Sequence, residues 1–319
     1  MKSSAISRPR AVMEVVVKLP SMDSIDLEKI DPFFIDLLNL NKEYCIKFLM
    51  HFGLIANNVK CCGQLMTLIK QERTIDGFCF RCKYCRKYCS VRNGSFFERS
   101  HLTISQILKL LFYYSNDVYN QDFIIKVMKV TSKTVVDWKN FIRDIYTNHF
   151  LINSQKVGGP IMIVQIDESL ICKRKYNVGR ILANQDQWIV GGIDEAGNIF
   201  MEITTERNQE TLEAIIRRNV EPNSIIWSDC WAGYRNIDSA GYFHEVVNHS
   251  IEFVSSEGVH TNRIESIWGA CKRKLNPIRN KKPDLIQGYL SEYIFKKKFS
   301  ENVFSETLNQ IKLIYKFPN

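Results

Sequence analysis

The sequence predicts a mixed α/β fold, and three observations carry that expectation. After Gly158-Gly159-Pro160, short apolar runs that suit covered strands alternate with segments of helical period. Between residues 104 and 150 the pattern is helical: Ile104, Ile107, Leu108, Leu111 and Phe112 share one stripe. Seven of the ten cysteines lie between residues 45 and 89, four of them within eleven residues, which marks a small separate module.

Composition bounds the rest. At 319 residues, 45% apolar and 12% aromatic, the chain can bury a substantial core, as two domains or as one with appendages, and it is not a disordered tail. The net charge of +9 is unevenly placed, because residues 60–99 contribute +6, residues 271–298 contribute +7 and the remainder is slightly acidic. Two basic zones on a near-neutral body suit a polyanion, which points to nucleic acid as the partner, and no membrane is expected. Glu14 interrupts the apolar stretch from Val12 to Val17, and no apolar run reaches 18 residues anywhere. An intracellular location is expected, nuclear if the host is eukaryotic. In a reducing compartment, clustered cysteines favour a metal over disulfides.

In order along the chain, residues 1–55 form an N-terminal helical segment, with Gly53 as a helix stop. Residues 56–100 form a zinc-ribbon-like module. Cys82 and Cys85 make a knuckle whose thiolates can reach one tetrahedral zinc. The other half is irregular, since Cys61 and Cys62 are adjacent and neighbouring side chains of an extended strand point opposite ways. Cys62, followed by Gly63, is the expected third ligand, with Cys61, Cys79 or Cys89 as the fourth. Residues 101–155 are helical, and 124–142 resemble a helix-turn-helix with Thr131-Ser132 opening its second helix and Lys133 and Lys139 placed for phosphate.

From residue 156 the α/β texture begins and runs to 299, with a C-terminal helix or tail at 300–319. Ile161 to Asp167 reads as a buried strand ending in an acid. A basic loop follows, with Lys173, Arg174, Lys175 and Arg180 as DNA-backbone contacts. Trp188–Ile193 and Ile199–Thr205 read as a hairpin, and 210–220 as a helix stopped before Pro222. Ser224 to Asp229 repeats the design of a strand with a terminal acid, Tyr242 to Val247 adds a strand, and His260 to Leu275 is an amphipathic helix. On that helix Ile264, Ile267, Trp268, Cys271 and Leu275 face inward, while Asn262, Glu265, Gly269 and Lys272 share the next stripe. Trp188, Trp227, Trp231 and Trp268 are expected in the core.

Strand, hairpin, helix, strand, helix, strand, helix is the order of an RNase H-like α/β domain, the type found in retroviral integrases. Polar sites in such sheets gather at the carboxyl ends of central strands, where Asp167 and Asp229 lie, and Glu265 comes from the helix after the last strand. Three carboxylates raise one another's pKa unless divalent metal intervenes, and oxygen-only ligands select Mg²⁺ or Mn²⁺. Two such ions suit phosphodiester cleavage or transfer. His249 and His260 are candidates for contacts to phosphate or metal-bound water, or for structural roles.

The set Gly158-Gly-Pro160, Val164-Gln-Ile-Asp-Glu-Ser169, Lys173 to Arg180, Gln187 to Gly192, Trp227-Ser-Asp-Cys-Trp-Ala-Gly-Tyr234, Val247-Asn-His-Ser250 and His260 to Trp268 resembles Merlin-type DDE transposases and their bacterial insertion-sequence relatives. The likeness runs from about residue 45 to 290. It implies a cut-and-paste transposase whose partner is double-stranded DNA and which cleaves transposon ends and joins them to target DNA, with Asp167, Asp229 and Glu265 matching the catalytic and metal-binding triad. Thirty-five residues separate Asp229 from Glu265, in keeping with that group. Some bacterial relatives carry Asn where the third acid stands, which makes Asn262 an accessory, along with Lys272 and His260. Joining two ends needs two active sites, so a homodimer or higher oligomer on DNA is expected. The competing readings are a domesticated, non-mobilising DNA-binding protein and an RNase H-like nuclease.

Overall fold

A computed structural model of the chain describes residues 19–117, 120–172, 187–247, 259–276, 278 and 283–317. The first half opens with two short helices, α1 (Pro32–Leu40) and α2 (Lys42–His51), capped by the side chains of Asp31 and Asn41. Five short strands follow: β1 (Lys60–Cys61), β2 (Gln64–Leu65), β3 (Thr67–Lys70), β4 (Phe78–Arg81) and β5 (Tyr88–Ser90). The first two form a hairpin and the other three an antiparallel sheet. Helix α3 (Ile104–Ser115) starts in a full capping box of Thr103 and Gln106, and all five stripe residues named above are buried in it. Helices α4 (Gln121–Met128) and α5 (Ser132–Ile152) join through Lys129 in the left-handed region and the Thr131 cap.

One buried pair ties the cysteine module to the helices. Asp76 accepts two bonds from Arg92, at 2.5 and 2.7 Å, and a third from the Ile104 N–H at the start of α3. The rest of the Arg92 guanidinium donates to the carbonyls of Phe97, Ser100 and Leu102. A charge pair with its donors used in this way is tolerated in a core, and it fixes how the chain leaves β5.

The second half is built on a five-stranded sheet. Its strands are β6 (Ile163–Cys172), β7 (Gln187–Asp194), β8 (Ile199–Thr204), β9 (Ile225–Asp229) and β10 (Phe243–Val247), in spatial order β10-β9-β6-β7-β8. The pairs β6/β7 and β7/β8 are antiparallel, whereas β9 lies parallel to β6 and β10 parallel to β9. Val164, Ile166, Val190, Phe200 and Ile226 face one core with α6 (Gln209–Asn219). Ile189, Ile193 and Met201 face another with α7 (Asn262–Leu275) and α8 (Pro283–Lys298). Helix α9 (Val303–Ile314) turns back, and its Val303, Phe304, Leu308 and Ile311 join Phe295 in the core of the first half beside α3 and α5.

Two expectations about elements change. The strand expected to stop at Asp167 runs on to Cys172, because β7 pairs with it all the way. What stops is the parallel pairing with β9, last registered at Gln165 opposite Trp227, so Asp167 sits just beyond the point where those strands part. Between β9 and β10 there is no α-helix but two single 3₁₀ turns, Ala232–Tyr234 and Asp238–Ala240. The segment is short and ends at Gly241 with φ of 93°, leaving no room for a longer helix.

Candidate active site and cysteine centre

Gln165 organises the acidic site. It is a buried polar residue in an apolar strand, and its side-chain oxygen accepts the N–H groups of Arg263 and Ile264, at 3.0 and 3.4 Å, in the first turn of α7. Those donors have no partner within the helix, so β6 itself caps α7 from across the interface. The Gln165 amide then donates to His260 Nδ1 at 3.2 Å, and the His260 ring meets Trp227 of β9 edge-on. Hence β6, β9 and the start of α7 are held together by one side chain two residues before Asp167.

The apolar stripe of α7 completes the docking. Ile264, Ile267, Trp268, Cys271 and Leu275 are its buried residues, as the periodicity required. The Trp268 indole N–H reaches Asp167 Oδ2 at 2.9 Å. It passes over β7 at Gly191, the register partner of Asp167, where a Cβ would come within 2.6 Å of the indole ring. A glycine is therefore required for this close approach.

Asp229 ends β9, and its Oδ1 accepts the Trp231 N–H at 3.0 Å. Glu265 is exposed on the first turn of α7 and takes a bond from the Thr261 hydroxyl at 3.0 Å. Burial, followed among the opposing influences by the charges of Asp229 and Glu265, pushes the Asp167 carboxyl up to about 6, against bonds from the Glu168 N–H and Trp268 that lower it. The structure thus brings Asp167 within the electrostatic reach of both other acids. Asn262 and Lys272 are exposed on the Glu265 side of α7. His260 is a link between strands and helix in this arrangement. The basic loop with Lys173, Arg174, Lys175 and Arg180 lies outside the described residues, as does His249.

Sequence reasoning passed over Glu168. Alternation along β6 puts it on the sheet face opposite Asp167, towards Tyr234. Burial, then the Asp229 and Asp167 charges, push it up to about 7, against the neighbouring Tyr234 hydroxyl, which lowers it. Gln165 was equally legible as a polar residue inside an apolar run. Of the four tryptophans expected in the core only Trp268 is buried: Trp188 and Trp227 are half-buried and Trp231 is 38% exposed, with the Arg207 guanidinium over the Trp231 and Trp188 rings at 4.0 and 4.2 Å. Asp229 ends its strand directly before this loop, so the Trp231 ring is left at the mouth of the site.

The cysteine centre answers the question of the fourth ligand. The sulfurs of Cys61, Cys62, Cys82 and Cys85 all lie within 4.8 Å of one another. Cys61 Sγ stands 3.5 Å from Cys85 Sγ and 3.9 Å from Cys62 Sγ. Four thiolates around a zinc at about 2.3 Å would sit about 3.8 Å apart, so this set can hold a zinc ion. Cys79 and Cys89 belong to the paired strands β4 and β5 instead. The alternation argument against adjacent ligands fails because Cys62 is not extended. It occupies the left-handed region at φ 52° with Gly63 at 74°, the two-residue turn of the β1/β2 hairpin, which swings both sulfurs to one side. The Cys85 thiol is lowered to about 7, first by the Lys87 N–H and then by the neighbouring cysteines.

Of the helix-turn-helix residues, Lys133 is exposed and paired with Asp137 at 2.8 Å. Lys139 is half-buried, with only the Gln121 side-chain oxygen at 3.5 Å as a hydrogen-bond partner. No helix among the described residues is long and apolar enough to cross a membrane.

With this geometry in place, residues 158–298 match the family model of the ISXO2-like transposase domain, which supports a likeness to bacterial insertion-sequence transposases. A Haemophilus influenzae protein described as an uncharacterized transposase-like protein is 28% identical over 94 residues, covering 30% of this chain and 76% of its own length. Both matches fall on the bacterial side of the resemblance, and neither is specific to the Merlin group. Among solved structures, the Mos1 transposase paired-end complex with left transposon end aligns over 66% of this chain and 76% of that one, at 10% identity and a TM-score of 0.29. The Mos1 strand transfer complex covers the same shares at a TM-score of 0.28. At these scores the likeness carries no weight for function.

Proposed function

We propose that the chain is a DDE transposase that cleaves the ends of a DNA element and joins them to target DNA, with Asp167, Asp229 and Glu265 as its catalytic acids. The observation that carries this reading is the placement of the three acids: two parallel strands part beside Asp167, Asp229 ends the second, the first turn of α7 with Glu265 is capped from Gln165, and the charges of Asp229 and Glu265 both act on the Asp167 carboxyl, while among the described residues only the four cysteines close to a metal-sized cluster. The strand order β10-β9-β6-β7-β8, antiparallel on one side and parallel on the other, supports an RNase H-like sheet.

The chemistry of the donor set suits divalent metal: it consists of oxygens only, and the charges of Asp229 and Glu265 act on the buried carboxyl of Asp167. Asp167, Asp229 and Glu265 would hold two Mg²⁺ or Mn²⁺ ions, which supply a nucleophile at neutral pH and offset charge on the reacting phosphate. The protein's part is positioning. Trp268 holds Oδ2 of Asp167, Thr261 steadies Glu265, and Lys272 lies two turns along α7 for a phosphate beside the reacting one. Residues 156–299 act as the catalytic domain, residues 101–155 and the basic loop bind the duplex, and residues 56–100 carry one structural zinc on Cys61, Cys62, Cys82 and Cys85. Two chains act together, one at each end.

The test is end cleavage and strand transfer on a plasmid bearing the element's ends. Asp167→Ala, Asp229→Ala and Glu265→Ala should each lower both steps on the order of 10³-fold or more, while end-binding survives. Unchanged strand transfer in any one overturns the assignment. A nuclease on the same scaffold would nick without joining.

A further inference from the structure

Between the helical half and α7 lies a cleft of about 320 Å³ walled by α3, α4, α5, α7 and α8. Two acids and several cations line it, and the acids are already engaged. Glu292 accepts from Tyr114 and from Arg143 Nε at 2.9 Å, and pairs with Lys296 at 3.3 Å. Asp117 takes Lys296 at 2.8 Å and holds Lys274 at only 3.4 Å. The face of Arg143 is covered by the Tyr289 ring, 3.8 Å from its centroid. Lys139 and Arg273 remain, and neither has a carboxylate partner among the described residues. Burial, then the Arg143 charge, pull the Lys139 ammonium below the ordinary lysine range. Lys139 is half-buried beside Arg143 and Lys296, met by the Gln121 side-chain oxygen at 3.5 Å and the Tyr114 ring at 5.8 Å, and the acids within reach, Glu292 and Asp117, are engaged by other cations, so the cleft is short of negative charge.

We propose that this cleft binds a backbone phosphate of duplex DNA, gripped by Lys139 from α5 and by Arg273 and Lys274 from α7. The inference rests on the reading that the chain acts on DNA, and deepens it by naming where the helical half and the catalytic helix hold the same strand. Arg273 lies eight positions after Glu265, about 12 Å along the helix axis, so this phosphate would lie about three to four base pairs from the reacting one. Duplex seated there would fix the angle at which the scissile bond meets the acids, because both ends of α7 would touch one backbone.

The experiment measures binding of the full chain to a 30-base-pair duplex, without divalent metal, across a salt series, with Lys139→Gln, Arg273→Gln and the double variant. Each single change should weaken binding about tenfold and reduce the slope of log K against log salt by about 0.9, and the double by about twice that. Thermal stability of Lys139→Gln should stay level or rise; a fall would mark a structural lysine and overturn the proposal, as would wild-type affinity and slope. Arg218→Gln, removing a cation paired with Glu202 on α6, is the control and should leave the slope unchanged. A melting temperature raised by inorganic phosphate, with duplex binding indifferent to Lys139 and Arg273, would assign the cleft to a small free anion and overturn the DNA form. Failure of the wild-type chain to bind duplex at all overturns both this inference and the reading beneath it.

Discussion

The cysteine centre and the acidic centre gather their groups in opposite ways. At the first, four sulfurs from two tight turns, at Cys62-Gly63 and between β4 and β5, meet near the surface, and the turns touch through those sulfurs and the Cys82 thiol against the Cys61 carbonyl. At the second, acids far apart in sequence are set by packed elements: Gln165 caps α7, Trp268 crosses Gly191 to Asp167, and the strands fix the rest. A metal at the first site would supply the structure, whereas a metal at the second would relieve charge in a structure already made. The same class of cofactor is thus expected to have opposite consequences for the protein without it.

The largest effect should come from stripping the cysteine centre. Chelation, or Cys82→Ser, should release about one equivalent of zinc and destabilise the first half on the order of 5 kcal/mol, since binding energy there is folding energy. Thermal unfolding with and without chelator, alongside zinc content, measures this. Wild-type melting after complete zinc loss would show that β3–β5, which place Phe80 in the first core, hold the turns alone.

Next in size is Gln165→Ala. It leaves two N–H groups of α7 and the His260 ring without their partner, which costs about 3 kcal/mol, at about 1 kcal/mol for each orphaned group because two of the three contacts are only part-buried. Denaturant unfolding reads the loss. Cleavage should fall more than stability alone explains, because Glu265 shifts with the helix. If stability drops and the turnover of the folded fraction does not, Gln165 is a staple for the fold and has no bearing on the site.

Much of this arrangement was legible in the sequence, for reasons that differ by element. The stripe of α7 could be read because period 3.6 over fourteen residues leaves little freedom in which side is buried. Asp167 and Asp229 were visible as acids interrupting apolar strands. The extent of β6 was not, since β7, which carries it past Asp167, pairs from the other side of residues 173–186. The choice among Cys61, Cys79 and Cys89 beside Cys62 stayed open because alternation holds only for extended chain, and the left-handed turn at Cys62 is an unusual conformation for a residue other than glycine. Glu168 and the cleft at Lys139 were hidden for a further reason. Their character comes from neighbours brought by other elements, Tyr234 and Asp229 for one, Arg143 and Lys296 for the other.

The smallest effect is the most specific to the contrast between the two centres. Asp167 has a raised pKa of about 6 in the folded protein, above the value of 3.8 it has when free. Between those values the folded state binds more protons than the unfolded one, so stability without metal falls as pH rises from about 4 and levels off above about 6. Asp167→Asn keeps an oxygen for the Trp268 indole but removes the titration. Metal-free Asp167→Asn should therefore be more stable than wild type by about 1–2 kcal/mol at pH 7.5, discounting the full shift for solvent screening, with the gap closing near pH 4. Unfolding of both proteins in chelator at the two pH values decides it. An equal or lower stability of the variant at pH 7.5 would mean that the three acids do not oppose one another when bare, and the electrostatic case for metal at this site would lose its support.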